Sequence, residues 1–338
     1  MKLSWRRQRL RLRYRFATAQ AGIDEKETLV VSLEHDGTTG QGEVCPSRVY
    51  GQTLESAEAA LQAMQGDLGE DPFRIESIVT RLLARHDAER AAVAGVDSAL
   101  HDWVGRKVGL PVWRLLGLEP ARARTTFTIG ITSPEETSVK VSEALAAGYT
   151  ALKVKVGVDT DEATLESIRK HFAGPLLLDA NEAWSPEEAP GRIRALAEFH
   201  PALIEQPLRR ADWAHLRALR ELALSPIFVD ESGERPSDVV RLHGFVDGIN
   251  VKLTKCGGLR EALRMVALAR GLGLQLMLGC FVSSSLAIAP ALAIATLFDF
   301  VDLDGHLLLA EDPFTGISQD SGVIALGDTP GLGVTPAA

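Results

Sequence analysis

Short apolar runs that end in polar residues recur along most of this chain, and each is followed by an amphipathic helical stretch. The runs occupy residues 126–129, 151–156, 176–179, 203–205, 227–230, 248–252, 275–278 and 300–302. Their separation, roughly 25 residues, is the length of one strand–helix unit. Eight such strands joined by helices predict a closed parallel barrel, with an open doubly wound sheet as the alternative.

The first 120 residues follow a different pattern. Residues 10–16 and 28–35 alternate like strands, and Asp36-Gly37 supplies a turn after the second. Helical periodicity runs over 53–65 and 88–108, and Gly109 and Pro111 form a common stop for the latter. This is an α+β segment. Residues 311–338 lack the strand–helix beat and are expected to return to it. The predicted architecture is a modified TIM barrel, (β/α)7β, over 121–310, with an α+β capping domain built from 1–120 and completed by 311–338.

A chain of 338 residues is long enough for one barrel and a smaller domain. The formal charge of -9 counts against a nucleic-acid partner, because phosphate binding favours a basic face. One basic run exists, at 6–15, where Arg11, Arg13 and Arg15 alternate with Leu12, Tyr14 and Phe16. That is the period of a half-buried strand with a solvated cationic face, not an RNA- or membrane-binding arm. Arg6-Arg7 is not followed by the apolar region of a twin-arginine signal, and no run suits a bilayer, so no membrane partner is expected. Cys45, Cys256 and Cys280 contain no Cys-x-x-Cys pair. They read as reduced residues of a cytoplasmic protein, neither a disulfide framework nor a zinc site.

In a parallel barrel the C-terminal strand ends share one mouth, so residues distant in sequence converge there. Lys153 and Lys155 end the second strand in ALKVKVG, Asp179 the third in LLLDANEAW, and Glu205 the fourth in LIEQPL. Asp230 and Glu231 end the fifth in FVDES, Lys252 the sixth in INVKLTKCGG, and Asp302 and Asp304 the eighth in VDLDGH. Three carboxylates on consecutive strands suit a hard cation with oxygen ligands, Mg²⁺ or Mn²⁺, one per subunit. An isolated helix N-cap explains one such acid, but not three in phase with the strand repeat.

Lys153 and Lys155 are two apart, so both point to one face, the crowded barrel interior, where an ammonium needs an anionic partner or a catalytic task. Proximity to a metal or to a second lysine is expected to lower a lysine's pKa toward neutral. Lys252 lies four strands away. Two bases on opposite sides of one carbon are what stereochemical inversion requires. Lys255, three residues further on, reads as solvated or as a supporting group.

These residues resemble the muconate-lactonizing-enzyme subgroup of the enolase superfamily over nearly the whole chain. The matching features are the K-x-K of Lys153 and Lys155, the ordered acids Asp179, Glu205 and Asp230, and Lys252 before Gly257-Gly258. The segment AVAGVDSALHDWVGRKVGLPVWRLLG also looks like the family's domain junction. Membership of this superfamily would imply a Lys or His base working with one or two Mg²⁺ ions. The resemblance implies a metal on Asp179, Glu205 and Asp230 that binds a substrate carboxylate and stabilises an enediolate. Lys155 and Lys252 would be the acid–base pair, with Lys153 steadying negative charge.

Asp302-Leu303-Asp304 is similar to the Asp-x-Asp motif of dipeptide epimerases, where the pair holds the free α-amino group. An Asx-type turn is the plainer reading of the same letters. By the same resemblance Ser284 falls at a further substrate contact, and side-chain preference comes from cap loops at 18–26 and 45–53. There Asp24 would favour cationic dipeptides and Arg48 anionic ones. The family's Ala-Glu epimerases imply an arginine in the first loop, and residues 17–34 have none. The expected activity is therefore dipeptide epimerisation by a homo-oligomer. The alternatives are o-succinylbenzoate synthesis or a cycloisomerisation, whose substrates lack an ammonium, and a non-catalytic barrel. His306 has no assigned role.

Overall fold

The computed structural model describes residues 1–18 and 22–337, so part of the first cap loop, 19–21, lies outside the described residues. Three antiparallel strands open the chain: β1 (Lys2–Ala17), β2 (Gly22–His35) and β3 (Thr38–Val44), in the order β1-β2-β3. The turn after β2 falls at Asp36-Gly37, both at positive φ, as its composition demands. Helices α1 (Leu54–Met64), α2 (Ile75–His86) and α3 (Arg90–Val108) cover one face of this sheet. Thr53 caps α1 through a reciprocal bond with Ser56. Helix α2, not singled out in the sequence, buries Ile78, Val79 and Leu82.

Helix α3 is buried around most of its circumference and approaches β3 at backbone distance. A Cβ on Gly40 would stand 2.1 Å from Ala99 O, and one on Gly42 2.1 Å from Gly95 O, so glycine is required at both positions.

The short strand β4 (Arg122–Arg124) leads into the second body. Eight parallel strands follow: β5 (Phe127–Ile129), β6 (Leu152–Lys155), β7 (Leu176–Asp179), β8 (Leu203–Glu205), β9 (Ile227–Val229), β10 (Gly248–Val251), β11 (Gln275–Gly279) and β12 (Phe300–Asp302). They are hydrogen-bonded in sequence order. Thr126 N donates to Val301 O at 3.1 Å across the remaining seam. Helical segments fill all seven connections and none follows β12, which is the (β/α)7β form expected.

Strand alternation sorts the side chains. Leu176, Leu178, Ile204, Ile227, Val229, Ile249 and Val251 face outward into the helix layer and its core. Leu177, Leu203, Phe228 and Met277 face inward as an apolar plug. One inward step further along the strands come the polar ends Asp179, Glu205 and Asp230. The barrel is thus closed from below, and its chemistry is confined to the upper layer.

Two features bind cap to barrel. The β1–β2 register breaks between Arg11 and Phe16, and there β1 turns to the barrel instead. Arg13 N donates to Leu308 O at 2.9 Å and Ala310 N to Arg11 O at 2.8 Å. Helix α3 supplies the other link, with Arg90 Nη1 to Cys256 O at 2.6 Å and Asp97 accepting from Leu259 N at 2.6 Å. The cationic face of β1 is partly paired, Arg7 with Glu58, Arg9 with Glu25 and Arg15 with Asp24.

The closing segment carries β13 (Phe314–Thr315), β14 (Ile317–Asp320), β15 (Val323–Leu326) and β16 (Thr335–Pro336), and β15 pairs with β4. Leu332 N donates to Asp102 on α3 at 2.8 Å, while Ile324, Leu326, Leu332 and Val334 pack into the barrel's core. Among the described residues no helix is long and apolar enough to cross a membrane.

Candidate active site

The barrel mouth and the overlying cap enclose a cavity of about 230 Å³. Its floor is built from the strand ends. Lys153, Lys155, Asp230, Lys252, Asp302 and Asp304 all line it, and Asp179 and Glu205 lie fully buried beside them. Phe16, Ile23, Lys26, Ser47, Val49 and Tyr50 of the cap form the roof.

The lysines and acids are interleaved. Lys153 Nζ stands 2.8 Å from Glu205 Oε2, 2.9 Å from Asp302 Oδ2 and 3.2 Å from Asp179 Oδ2. Lys155 Nζ donates to Asp179 Oδ2 at 2.6 Å. Across the barrel Lys252 Nζ donates to Asp230 Oδ2 at 2.5 Å and lies 4.7 Å from the centre of the Phe281 ring. Gly279 gives Lys252 its room: a Cβ there would come within 2.9 Å of Lys252 Cε and 2.4 Å of Asn250 Oδ1.

Electrostatics follow from this interleaving. Burial pushes the Asp179 carboxyl up, but Lys155 and Lys153 outweigh it and hold it at about 2. Burial is likewise outweighed at Asp230, which Lys252 and Lys255 hold well below the carboxylate range. Glu205 moves the other way, raised by burial and by the Asp179 charge. The expectation of depressed lysines is not met at Lys153 or Lys252. Burial lowers both, yet the surrounding carboxylates raise them further, because each ammonium neutralises acids packed against it.

Three acids on three neighbouring strands offer oxygen donors only, the chemistry a hard divalent cation takes. Glu205 Oε2 is buried, and the group that stands against it is the Lys153 ammonium, at 2.8 Å. Among the described residues no three acids close to the spacing of a formed metal cluster, since lysine ammoniums stand between them. The donor set fits a cation that would replace those ammoniums as the counter-charge.

Asp304 does not fold back into an Asx turn. Its Oδ2 accepts from Thr128 N on β5 at 2.7 Å, while Asp302 Oδ1 accepts from Thr126 Oγ1 at 2.6 Å. Burial and the Asp302 charge push the Asp304 carboxyl up to about 7. An acid held so poorly ionised has an unmet preference for a cation.

Of the two readings of Lys255, the supporting one holds: its Nζ donates to Asp230 Oδ1, Asp230 O and Asn250 O, each at 2.7 Å, because the turn after β10 folds it under the strand end. Three other expectations need correction. Ser284 is buried away from the cavity lining; it caps the helix Ser285–Leu292 and bonds Glu43 of β3. Asp24 faces out and pairs with Arg15 at 3.0 Å. Arg48 is exposed and absent from the lining, where its neighbours Ser47 and Val49 take part.

Other participants escaped the sequence reading. Asn250 Nδ2 donates to Glu205 Oε1 at 2.6 Å, and its position two before Lys252 on one strand was the available signal. Gln206 Oε1 accepts from Asp230 N at 2.9 Å, fixing that strand end. Tyr50 and Lys26 carried no signal outside the fold. His306 is buried at the rim, and desolvation lowers it to about 4.

Fold and site together define a capped β/α-barrel enzyme whose buried lysines share one carboxylate-rich floor. Residues 2–117 match the family described as mandelate racemase/muconate lactonizing enzyme, N-terminal domain, and residues 136–338 match enolase C-terminal domain-like; the chain belongs to this family. An L-Ala-D/L-Glu epimerase of Bacteroides thetaiotaomicron is 38% identical, with 99% of this chain and 88% of that protein covered. A hydrophobic dipeptide epimerase of Roseobacter litoralis is 36% identical, with 98% of each covered. The crystal structure of a dipeptide epimerase from Enterococcus faecalis V583, complexed with Mg and the dipeptide L-Leu-L-Tyr, superposes with a TM-score of 0.94 at 32% identity, covering 98% of each chain.

Proposed function

We propose that this protein is a metal-dependent dipeptide epimerase that inverts the α-carbon of the C-terminal residue, with Lys155 and Lys252 as the two acid–base groups. The observation that carries the reading is the pair of lysines on strands four apart, β6 and the end of β10, lining one cavity together with Asp302 and Asp304. The relatives' names and the dipeptide in the E. faecalis structure support the substrate class.

Asp179, Glu205 and Asp230 would hold Mg²⁺ or Mn²⁺, in keeping with their all-oxygen donor set and burial. When bound, the cation supplies Lewis-acid charge at the substrate carboxylate. The chain's own residues do the rest. Asp302 and Asp304 take the α-ammonium, the one substrate group that relieves the mutual repulsion of two buried aspartates. One lysine removes the α-proton as an ammonium forms on its Nζ, and the other returns a proton to the opposite face. Lys153 steadies the charge that develops on the carboxylate oxygens. The apolar plug beneath keeps bulk water from the far side.

The test is mass spectrometry of L-Ala-L-X and L-X-L-X dipeptides incubated with protein and Mg²⁺ in D₂O. A gain of one mass unit with loss of optical purity supports the reading. No exchange in any pool, from protein that binds Mg²⁺, overturns it in favour of a substrate without an ammonium.

A further inference from the structure

The cap meets the barrel wall at a buried acid. Glu43, one residue before the end of β3, is only 3% exposed. Its Oε2 accepts from Ser284 N at 3.2 Å and from Ser284 Oγ. Among the described residues its carboxylate forms no ion pair, so the buried charge is met at contact distance by neutral donors, and burial pushes the carboxyl up. Apolar packing would hold this seam at lower cost. What the acid adds is direction, because hydrogen bonds fix one backbone against another.

Both ends of the bond open onto the cavity. Glu43 leads into the loop whose Ser47, Val49 and Tyr50 line the roof, and Ser284 closes the loop after β11, whose Cys280, Phe281 and Val282 line the wall. Ser284 also caps the helix Ser285–Leu292, its Oγ accepting from Leu286 N at 3.2 Å, and Ser285 Oγ donates to Asp312 at 2.6 Å. The far end of the wall loop is thereby pinned. Within it Ser283 Oγ donates to Phe281 O at 3.0 Å. The Phe281 ring stands edge-on to Tyr50, 6.3 Å between centres, and its own centre lies 4.7 Å from Lys252 Nζ. One carboxylate therefore sets the separation of roof and wall at the ring that bounds Lys252.

We infer that Glu43 is a positioning residue for one of the two bases: through Ser284 and the loop 280–283 it holds Phe281 against Lys252, and so fixes where Lys252 Nζ stands in the cavity. This rests on the two-base reading above. Lys155 has a separate anchor, Asp179 Oδ2 at 2.6 Å on the neighbouring strand β7. Loosening the seam therefore displaces one base and leaves the other in place.

The test follows the α-proton of each epimer in D₂O by NMR, with Mg²⁺-loaded protein. The probes are the L-Ala-L-X dipeptide that exchanges fastest in the screen above and its L-Ala-D-X epimer. Each epimer gives its α-proton to a different lysine. Lys252→Ala identifies the pair: the epimer that depends on Lys252 stops exchanging, while the other still exchanges with its configuration retained. Glu43→Ala should slow exchange of the Lys252 epimer at least about tenfold and leave the other within about twofold of wild type. Glu43→Gln should restore the wild-type balance, since its amide can accept from Ser284 N and donate to Ser284 Oγ. A purely structural role slows both epimers together and leaves their ratio in place; that result overturns the inference. So does unchanged exchange of both epimers, or a loss confined to the Lys155 epimer. Should Glu43→Ala not fold, Ser284→Ala removes the hydroxyl end of the same bond and carries the same expectation. Wild type that exchanges no dipeptide is a different result: it overturns the epimerase reading, and the inference falls with it.

Discussion

Asp304→Asn should yield a protein that is more stable at alkaline pH and a much poorer catalyst. The Asp304 carboxyl is fully buried, next to the Asp302 charge, and titrates at about 7 against an ordinary value of 3.8. At 1.36 kcal/mol per pKa unit that displacement corresponds to roughly 4 kcal/mol of disfavoured ionisation. In the unfolded chain the group ionises near 4; in the folded chain it holds its proton until about 7. Folding therefore loses stability from this group as pH rises between those values, and the loss is complete above about 7. Asparagine keeps the oxygen that accepts from Thr128 N and removes the charge. Wild type should lose about 1–3 kcal/mol between pH 5 and pH 8 that Asp304→Asn does not, after relaxation of the surroundings. Urea titrations of both proteins at the two pH values measure this directly. Turnover moves the other way: a buried charged hydrogen bond to the substrate ammonium is worth about 2–4 kcal/mol, or roughly 30- to 1,000-fold in kcat/KM. Equal pH dependence of stability in the two proteins, or an unchanged kcat/KM, would refute the account of Asp304 as a poorly ionised acid awaiting a cation.

Three further outcomes are expected. Lys155→Ala and Lys252→Ala should each abolish epimerisation while retaining a cooperative thermal transition, and full activity in either disposes of the two-base mechanism. Dialysis against a chelator should remove turnover, with Mg²⁺ or Mn²⁺ restoring it, and Glu205→Gln should weaken Mg²⁺ uptake in equilibrium dialysis; undiminished turnover after chelation counts against a required cation. Gly279→Ala should cost about 10²-fold in kcat, because its Cβ would crowd Lys252 Cε and Asn250; wild-type kcat would mean the lysine has slack.

The barrel was legible because a parallel strand ends where the alternation meets the mouth. All eight strands begin and end within a residue or two of their expected limits, and the acids and lysines at their ends converge. What failed to read through depends on contacts the alternation does not encode. Lys255 follows its strand in a turn, a place where lysines are usually solvated, yet the fold tucks that turn against Asp230. Ser284 holds the cap rather than the cavity because Glu43, 241 positions away, reaches it. Asp24 and Lys26 sit two apart on one strand with opposite fates, one in an exterior ion pair and one in the roof. Cap loops alone suggested neither outcome, since either charge is an ordinary surface residue until the barrel lies beneath it.

The break in the β1–β2 register has a consequence for how the molecule is made. Beyond Arg11, which is the last residue in register with β2 before the break, the first strand meets the far end of the barrel: Leu12 pairs with Leu309, Arg13 N donates to Leu308 O, and Arg13 Nε reaches Leu309 O across 296 positions. During synthesis this stretch of strand edge waits for almost the whole chain to emerge, with its amides open to adventitious pairing. Closing so large a loop is slow, although its entropic cost grows only logarithmically with length. The roof of the cavity is therefore among the last parts to lock, and its alternating arginines, by repelling like strands, guard the edge until then.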